Sequence, residues 1–567
     1  MSNKGFYIRA IACAVMMTAA LSGLGFRLAF LHLGGHKQSE RKIEKKIIAG
    51  RGNIYDCRGM NNILAMNLGV KDVCVDPKKL TEDASVEEVS RLLSRSLGID
   101  QKEILDRIKG RADKQFAYIK RYMPEDMIRD RESLNVPGVM LQDTTVRFYP
   151  HGSFMCHVLG FVNYEGTGCL GIEQRIDSYL RGSPGFMESK VDAKRRELYT
   201  KRGRVIPAME GANVTLTIDQ NIQYVVEKAL DRVMEEHRPA GAWAIVQRVG
   251  TGEILGMASR PCFDLNEFRF VEEGQRLNRA TGFNFEPGST MKALTIAAAL
   301  DAGIVNPDTV FDCEKGQWRY GGKVLKDGGH SYGRMNVADI VKKSSNIGTA
   351  KIALMMGRER QYEYMKQFGV GCRTGIELPG EEAGVLPHYE KWSKICSTRM
   401  AFGQAYSTTA LQVLNVFCTI ANNGYRMKPY LVKQIASSDG EIIYRGGPEV
   451  VNRPIGTKAA KQMSRILCGV CEDGGTGRRA RFDDYTVAGK TGTAQKVKNG
   501  SYSEWVGSFV GFVPAEDPQL GIIVVVDEPK GIRAGGVVAA PAFRDIAQQA
   551  VSYLDIEPGR WTEVAKR

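Results

Sequence analysis

Apolar residues along this chain recur with two different periods, and the switches between them mark the elements. Val214-Thr-Leu-Thr-Ile-Asp219 alternates as a strand, and Gln223 to Met234 follows with apolar residues at helical spacing. Ala242 to Val249 and Glu253 to Ser259, joined across Gly250-Thr-Gly252, predict a β-hairpin. Val487 to Val497, Trp505 to Val513 and Leu520 to Val526 predict three more strands. Five strands with helices inserted between the second and third imply an α+β domain whose antiparallel sheet joins the two ends of that stretch. Within the insertion, the uninterrupted apolar run Ala293 to Leu300 predicts a buried helix that stops near Gly303.

The first 210 residues carry a different pattern. From Ala10 to Phe26 no charge interrupts the chain, and Leu28 to Leu33 continues the apolar character past Arg27. At ~1.5 Å per residue the uncharged run alone covers roughly 25 Å, so with its extension it spans a bilayer core. A cleaved signal peptide is the competing reading. The run is longer than the usual apolar core of such a peptide and Ala20-Leu-Ser22 is a mediocre cleavage site, so an uncleaved anchor is expected. Lys37, Arg41, Lys42, Lys45, Lys46 and Arg51 outnumber Lys4 and Arg9, which by the positive-inside count alone would keep the bulk of the chain in the cytoplasm. Long domains translocate largely regardless of flanking charge, so the carboxy-terminal mass is placed outside.

A charged, helical stalk is expected after the anchor. Turn-rich blocks follow at Arg51-Gly-Asn-Ile-Tyr-Asp-Cys-Arg-Gly59, Arg147-Phe-Tyr-Pro-His-Gly152, Gly168-Cys-Leu-Gly-Ile-Glu173 and Leu180-Arg-Gly-Ser-Pro-Gly185. Between them, from Ala84 to Arg131, charged and apolar residues alternate as in helices on a solvated surface. The expected organisation is a tail over 1–9, a membrane anchor over 10–33, a non-catalytic pedestal over 34–210 and the α+β domain over 211–567.

Composition changes this picture little. The 567 residues carry a formal net charge of +14, but no helix-turn-helix, zinc-finger or basic-aromatic pattern accompanies it, so nucleic acid is not an expected partner. Of the 12 cysteines, Cys74, Cys396, Cys418 and Cys468 sit in apolar runs like small hydrophobes. Cys468-Gly-Val-Cys471 lies in a helical pattern, which favours a structural role over a redox one. H-E-x-x-H does not occur.

Candidate chemistry begins at Glu286-Pro-Gly-Ser-Thr-Met-Lys292. The proline and glycine place Ser289 at a helix start, where free N–H groups favour negative charge, and Lys292 falls three residues on along the same face. The spacing alone is weak, since Ser39-Glu-Arg-Lys42 also fits, though without an apolar helix behind it. A second cluster, Lys343-Ser-Ser-Asn346, lies in a stretch of helical character running to Met356. A third, Lys490-Thr-Gly-Thr493, lies on a predicted strand, where a cation, two hydroxyls and a glycine suit a substrate carboxylate. It is not half of a phosphate loop, because Asp484 stands where that motif needs glycine.

Ser289-x-x-Lys292, Ser344-x-Asn346 and Lys490-Thr-Gly-Thr493, in that order, resemble the penicilloyl-serine transferases: penicillin-binding proteins, DD-peptidases and serine β-lactamases. Asn278-Arg-Ala280, Asp327 with His330, Phe402-Gly-Gln404, Leu411-Gln412, Gly535-Gly536 and Ala539-Ala-Pro541 are similar to class B penicillin-binding proteins, and the Arg51, Arg147 and Gly171-Ile-Glu173 blocks to that class's pedestal. Cys57-Arg58, Cys156 and Ala405 depart from the family's usual residues.

The resemblance implies a peptidoglycan DD-transpeptidase acting through an acyl-serine ester. Ser289 would be the nucleophile and Lys292, neutral, its base. Ser344 would relay a proton and Asn346 would hold the substrate amide or the lysine, while Lys490, Thr491, Gly492 and Thr493 would bind the terminal carboxylate. It further implies stem-peptide donors and acceptors, β-lactam binding, no metal or organic cofactor, a single pass through the inner membrane with the bulk outside, and an FtsW-type glycosyltransferase among divisome partners. Compact length and the pedestal blocks favour the cell-division, FtsI-like type over the elongation type. A carboxypeptidase or β-lactamase, and a non-enzymatic sensor, share the motifs.

Overall fold

The computed structural model describes residues 4–33, 41–83, 85–129, 134–191, 204–498 and 501–559. Two compact units account for them, one built from 1–49 with 182–209 and the other from 50–181 with 210–567. In the smaller unit, helix Lys4–Leu33 holds a segment, Gly5–Phe30, long and apolar enough to cross a membrane, and none of that segment is buried. The expected helical stalk is instead a strand, Arg41–Ile47, paired antiparallel with Gly185–Val191, whose other edge takes Val205–Ile206. Ile43 and Ile47 stand four apart among charged residues, a helical spacing, and the pairing strand lies about 140 residues downstream, out of reach of any local pattern. The Ser39–Lys42 match lies partly outside the described residues.

The larger unit begins with β1 (Ile54–Tyr55) and the long β2 (Ile63–Val75). Helices α1 (Val86–Leu97) and α2 (Gln101–Lys109) bury Val89, Leu93, Leu97, Ile104 and Ile108. Part of the expected helical stretch is strand instead: Ala117–Met123 is β3, with Ala117 and Ile119 buried and Tyr118 and Lys120 exposed, the period of two that a half-buried strand requires. Strands β3 and β4 (Val139–Phe148) flank β2. A buried cluster ties this region together: Glu173 accepts from Arg51 Nε and from Arg147 Nε, both at 2.7 Å.

Strand β5 (Asn213–Leu216) is shorter than its apolar alternation, because Asp219 is drawn out as the cap of α3 (Gln220–His237), its Oδ1 accepting from Asn221 N at 2.8 Å. Strands β6 (Gly241–Arg248) and β7 (Ile254–Arg260) form the expected hairpin. Next come α4 (Lys292–Asp301), α5 (Val337–Lys343), α6 (Asn346–Met356) and α7 (Ala410–Ala421). Strands β8 (Val432–Ala436) and β9 (Ile442–Arg445) then complete a seven-stranded sheet in which β5 lies between β8 and β1, with Val214 registered on both Ile435 and Ile54.

After α8 (Thr457–Cys471), strands β10 (Ala488–Lys498), β11 (Ser501–Val513) and β12 (Leu520–Asp527) join the hairpin, and α9 (Ala540–Tyr553) follows. The five strands run antiparallel in the order β7-β6-β12-β11-β10, so the two ends of the domain meet at β6 and β12, as expected. Alternation sorts the two faces. Ala242, Ala244, Val246, Ile522 and Val524 pack with Val226 and Leu230 of α3 and Phe543 and Ile546 of α9. Trp243, Ile245, Ile523 and Val525 pack toward α4, α7 and α8. Each large apolar side chain so buried stabilises the fold by ~1.5–3 kcal/mol. Apolar all round, α4 is a core helix, and strand β10 is left at the sheet edge beside it.

Candidate active site

Ser289 stands on a 3₁₀ turn, Gly288–Met291, that runs straight into α4. The turn is held from two sides. Gly288 N donates to Gly403 O at 2.9 Å, and the Glu286 carboxylate accepts from Ala405 N at 3.0 Å. On its other side the turn presses on β10, where a Cβ at Gly492 would lie 2.9 Å from Thr290 Cγ2 and 3.2 Å from Pro287 O. Glycine is therefore the residue that lets the Ser289 turn and the Lys490-Thr-Gly-Thr493 strand approach.

Lys292 opens α4 and is wholly buried. Its Nζ donates to Ser344 O at 2.5 Å and lies 3.1 Å from Ser344 Oγ. Ser344 itself interrupts the expected helical run. It has φ +62°, between the end of α5 and the start of α6, so its hydroxyl is turned toward α4 and β10 instead of following a helix face. Lys490, also wholly buried, approaches the same hydroxyl from β10, with Nζ 3.0 Å from Ser344 Oγ. One hydroxyl thus sits between two buried amines that are almost 200 residues apart in the chain.

The other expected residues surround this centre. Thr491 Oγ1 pairs with Thr476 Oγ1 at 2.9 Å, and Thr493 Oγ1 accepts from Gly535 N at 3.2 Å. Asn346 Nδ2 donates to Lys326 O at 2.9 Å, away from both lysines. The Ser289 hydroxyl makes no hydrogen bond among the described residues and is half-buried. Lys292 faces Ser344, not Ser289, so the direct lysine-to-nucleophile contact suggested by the three-residue spacing is not the one the resting site makes.

The penicillin binding protein transpeptidase domain family matches residues 242–548, and the penicillin-binding protein dimerisation domain family matches residues 46–216. The chain belongs to the class B penicillin-binding proteins. Stage V sporulation protein D of Bacillus subtilis is 33% identical to it over 91% of this chain and 80% of its own. The peptidoglycan D,D-transpeptidase FtsI of Escherichia coli is 30% identical over 91% and 86%. Among solved structures, a peptidoglycan synthetase from Bifidobacterium adolescentis superposes with a TM-score of 0.74 at 26% identity, covering 92% of this chain and 98% of its own. Penicillin binding protein 3 of Mycobacterium tuberculosis, complexed with aztreonam, gives 0.70 at 26% identity over 91% and 98%.

In this penicillin-binding protein the two site amines titrate unequally. Burial pushes Lys292 well below the usual lysine range, the Lys490 cation pushes it further, and Asp327 acts in the opposite direction. Burial brings Lys490 down to about 7, opposed by Cys471. Two buried cations around one hydroxyl repel each other, so the pair readily gives up one of its protons. With Lys292 neutral and Lys490 charged, the Ser344 hydroxyl accepts from Lys490 and can donate to Lys292.

Three residues that shape the site carried no readable role in the sequence. Thr476 reaches Thr491 from a loop, and Glu286 reaches across to Ala405. Asp327 accepts from Ser345 Oγ and from the N–H groups of Asn346 and Ile347. Glu286 opens the Ser289 block and Asp327 is among the residues similar to the family's, yet neither carries a role there and Thr476 carries no mark, since each acts on a partner brought near only by folding. Of the family departures, Ala405 takes φ +65°, a left-handed conformation that favours glycine, and Cys156 is buried. All twelve cysteines are free thiols.

Proposed function

We propose that this protein crosslinks peptidoglycan stem peptides through an acyl ester on Ser289. The observation that carries the proposal is the Ser344 hydroxyl held between buried Lys292 and Lys490, beside the strand on which the Ser289 turn rests. Ser289 Oγ attacks the carbonyl between the two terminal D-alanines, and neutral Lys292 takes its proton, directly or through Ser344. The Ser289 and Thr493 N–H groups stabilise the oxyanion. Ser344 passes a proton to the departing D-alanine amine, Lys490 with Thr491 and Thr493 binds the terminal carboxylate, and Asn346 swings from Lys326 to the substrate amide. An amine from a neighbouring stem peptide then attacks the ester, releasing Ser289 and completing the crosslink. β-Lactams acylate the same serine.

The setting we propose is septal wall synthesis, with the carboxy-terminal mass outside the cytoplasmic membrane and an FtsW-type glycosyltransferase as partner. The relative named FtsI supports it. A second reading, wall synthesis during sporulation, is favoured by the 33% identity to Stage V sporulation protein D. A fluorescent penicillin should label wild-type protein and fail to label Ser289→Ala, and crosslinked muropeptides should fall with the same change. Labelling that survives Ser289→Ala would overturn the assignment. Depletion that yields filaments supports the septal setting; normal division with defective spores supports the second reading.

A further inference from the structure

Asp327 is 4% exposed, follows the short strand Lys323–Lys326, and directs both carboxylate oxygens at one segment. Its Oδ2 accepts from Ser345 Oγ at 2.7 Å, and its Oδ1 accepts from Asn346 N at 2.6 Å and from Ile347 N at 3.0 Å. All three donors lie immediately after Ser344. A non-glycine residue at φ +62° is strained, so something must over-determine it. On one side Ser344 N and Ser345 N are tied to Val341 O and Ile340 O at the end of α5, at 3.2 and 2.9 Å. On the other side the ties are those to Asp327. Ser345 Oγ also accepts from Gly348 N at 3.0 Å, capping α6, so one hydroxyl links the carboxylate, the cap and the turn.

We propose that Asp327 is a positioning residue for acyl transfer: it locks the left-handed turn that sets Ser344 between the two lysines, and it places a buried carboxylate beside that turn. The proposal rests on the acyl-serine reading above. Asp327 also acts on Cys313 and Tyr332, while Lys351 acts on Cys313 and Cys471 on Lys490; Lys343, next to Ser344, turns away to donate to Gly474 O at 2.9 Å, and Lys326 adjoins Asp327. Because the carboxylate favours the charged form of Lys292, its removal lets that proton leave at lower pH and leaves a weaker base.

The test is the pH dependence of acylation by benzylpenicillin on the detergent-solubilised full chain, for wild type, Asp327→Asn and Ser345→Ala. Asparagine keeps an oxygen for the Asn346 and Ile347 N–H groups but carries no charge. Its ascending limb should move down by about one pH unit, with the plateau lowered about tenfold. Ser345→Ala keeps the charge and loses the tie, so its plateau should fall about tenfold with the limb in place. A folded Asp327→Asn variant whose limb coincides with wild type overturns the proposal. If that variant does not fold, a Ser345→Ala plateau within about twofold of wild type overturns it instead. Wild type that fails to acylate at Ser289 would defeat the underlying reading, a result separable from either of these.

Discussion

Adding one methyl group at Gly492 puts the relation between nucleophile and carboxylate strand to a direct test. A Cβ there would lie 2.3 Å from Ser508 Oγ, 2.9 Å from Thr290 Cγ2 and 3.2 Å from Pro287 O. Ordinary contact begins near 3.4 Å, so relief requires a shift of about 1 Å at the worst contact and half that at Thr290. Ser508 is on β11, registered on Gly492 itself, and its Oγ can rotate away from the new methyl group. Thr290 and Pro287 flank Ser289, and their turn is the part that yields. A displacement of about 1 Å at a reacting atom costs about a hundredfold in rate, so half that costs about tenfold. Gly492→Ala should therefore retain its fold by circular dichroism while its second-order rate of labelling by a fluorescent penicillin falls about tenfold. Adding Ser508→Ala removes the closest contact but not those to the turn, so the double variant should recover only part of the loss. A folded Gly492→Ala protein that labels within about threefold of wild type would refute the argument that this glycine exists to seat the Ser289 turn.

Lys490 titrates at about 7 and must be charged to hold a carboxylate, so acylation of the free enzyme should decline as pH rises through about 7. Lys490→Arg, which does not deprotonate in this range, should lose that descending limb whatever its absolute rate. A wild-type profile flat from pH 6 to 9 would contradict the assignment. Ala405→Gly relieves a left-handed alanine, worth ~1–2 kcal/mol, against a glycine entropy cost of ~0.5–1 kcal/mol. Thermal unfolding should shift upward by about 1–2 °C, and a lowered midpoint would show that the alanine is not strained. Glu173→Ala leaves buried Arg147 without a carboxylate and Arg51 with Asp177 alone, and should destabilise the larger unit by ~3–5 kcal/mol, read as a lower urea midpoint. An unchanged midpoint would mean that the two guanidinium groups find other partners.

The five-stranded sheet was legible because its central strands are strongly apolar and its hairpin is marked by a clear turn, Gly250-Thr-Gly252. The three motifs were legible as residue types at fixed spacing. What escaped depended on partners far along the chain. Arg41–Ile47 reads as a charged helix until Gly185–Val191 is there to pair with it, and Ala117–Met123 hides in a charged stretch until β2 supplies its ladder. The break at Ser344 has no glycine or proline to announce it. Its conformation is imposed by Asp327 and by the end of α5, and the turning of Lys292 toward Ser344 follows from that imposed shape.

The sheet that sets Val214 between Ile54 and Ile435 has a consequence for biosynthesis. Ile54 leaves the ribosome early, yet the last neighbours that close its ladder, β8 and β9, arrive only after some three-quarters of the polypeptide has been made. Until then β5 presents an open edge, and a nascent chain in that condition is a target for strand-to-strand aggregation and for quality-control proteases. Production of this protein should therefore depend on how quickly its middle third is synthesised, and on whatever shields an unfinished ladder meanwhile.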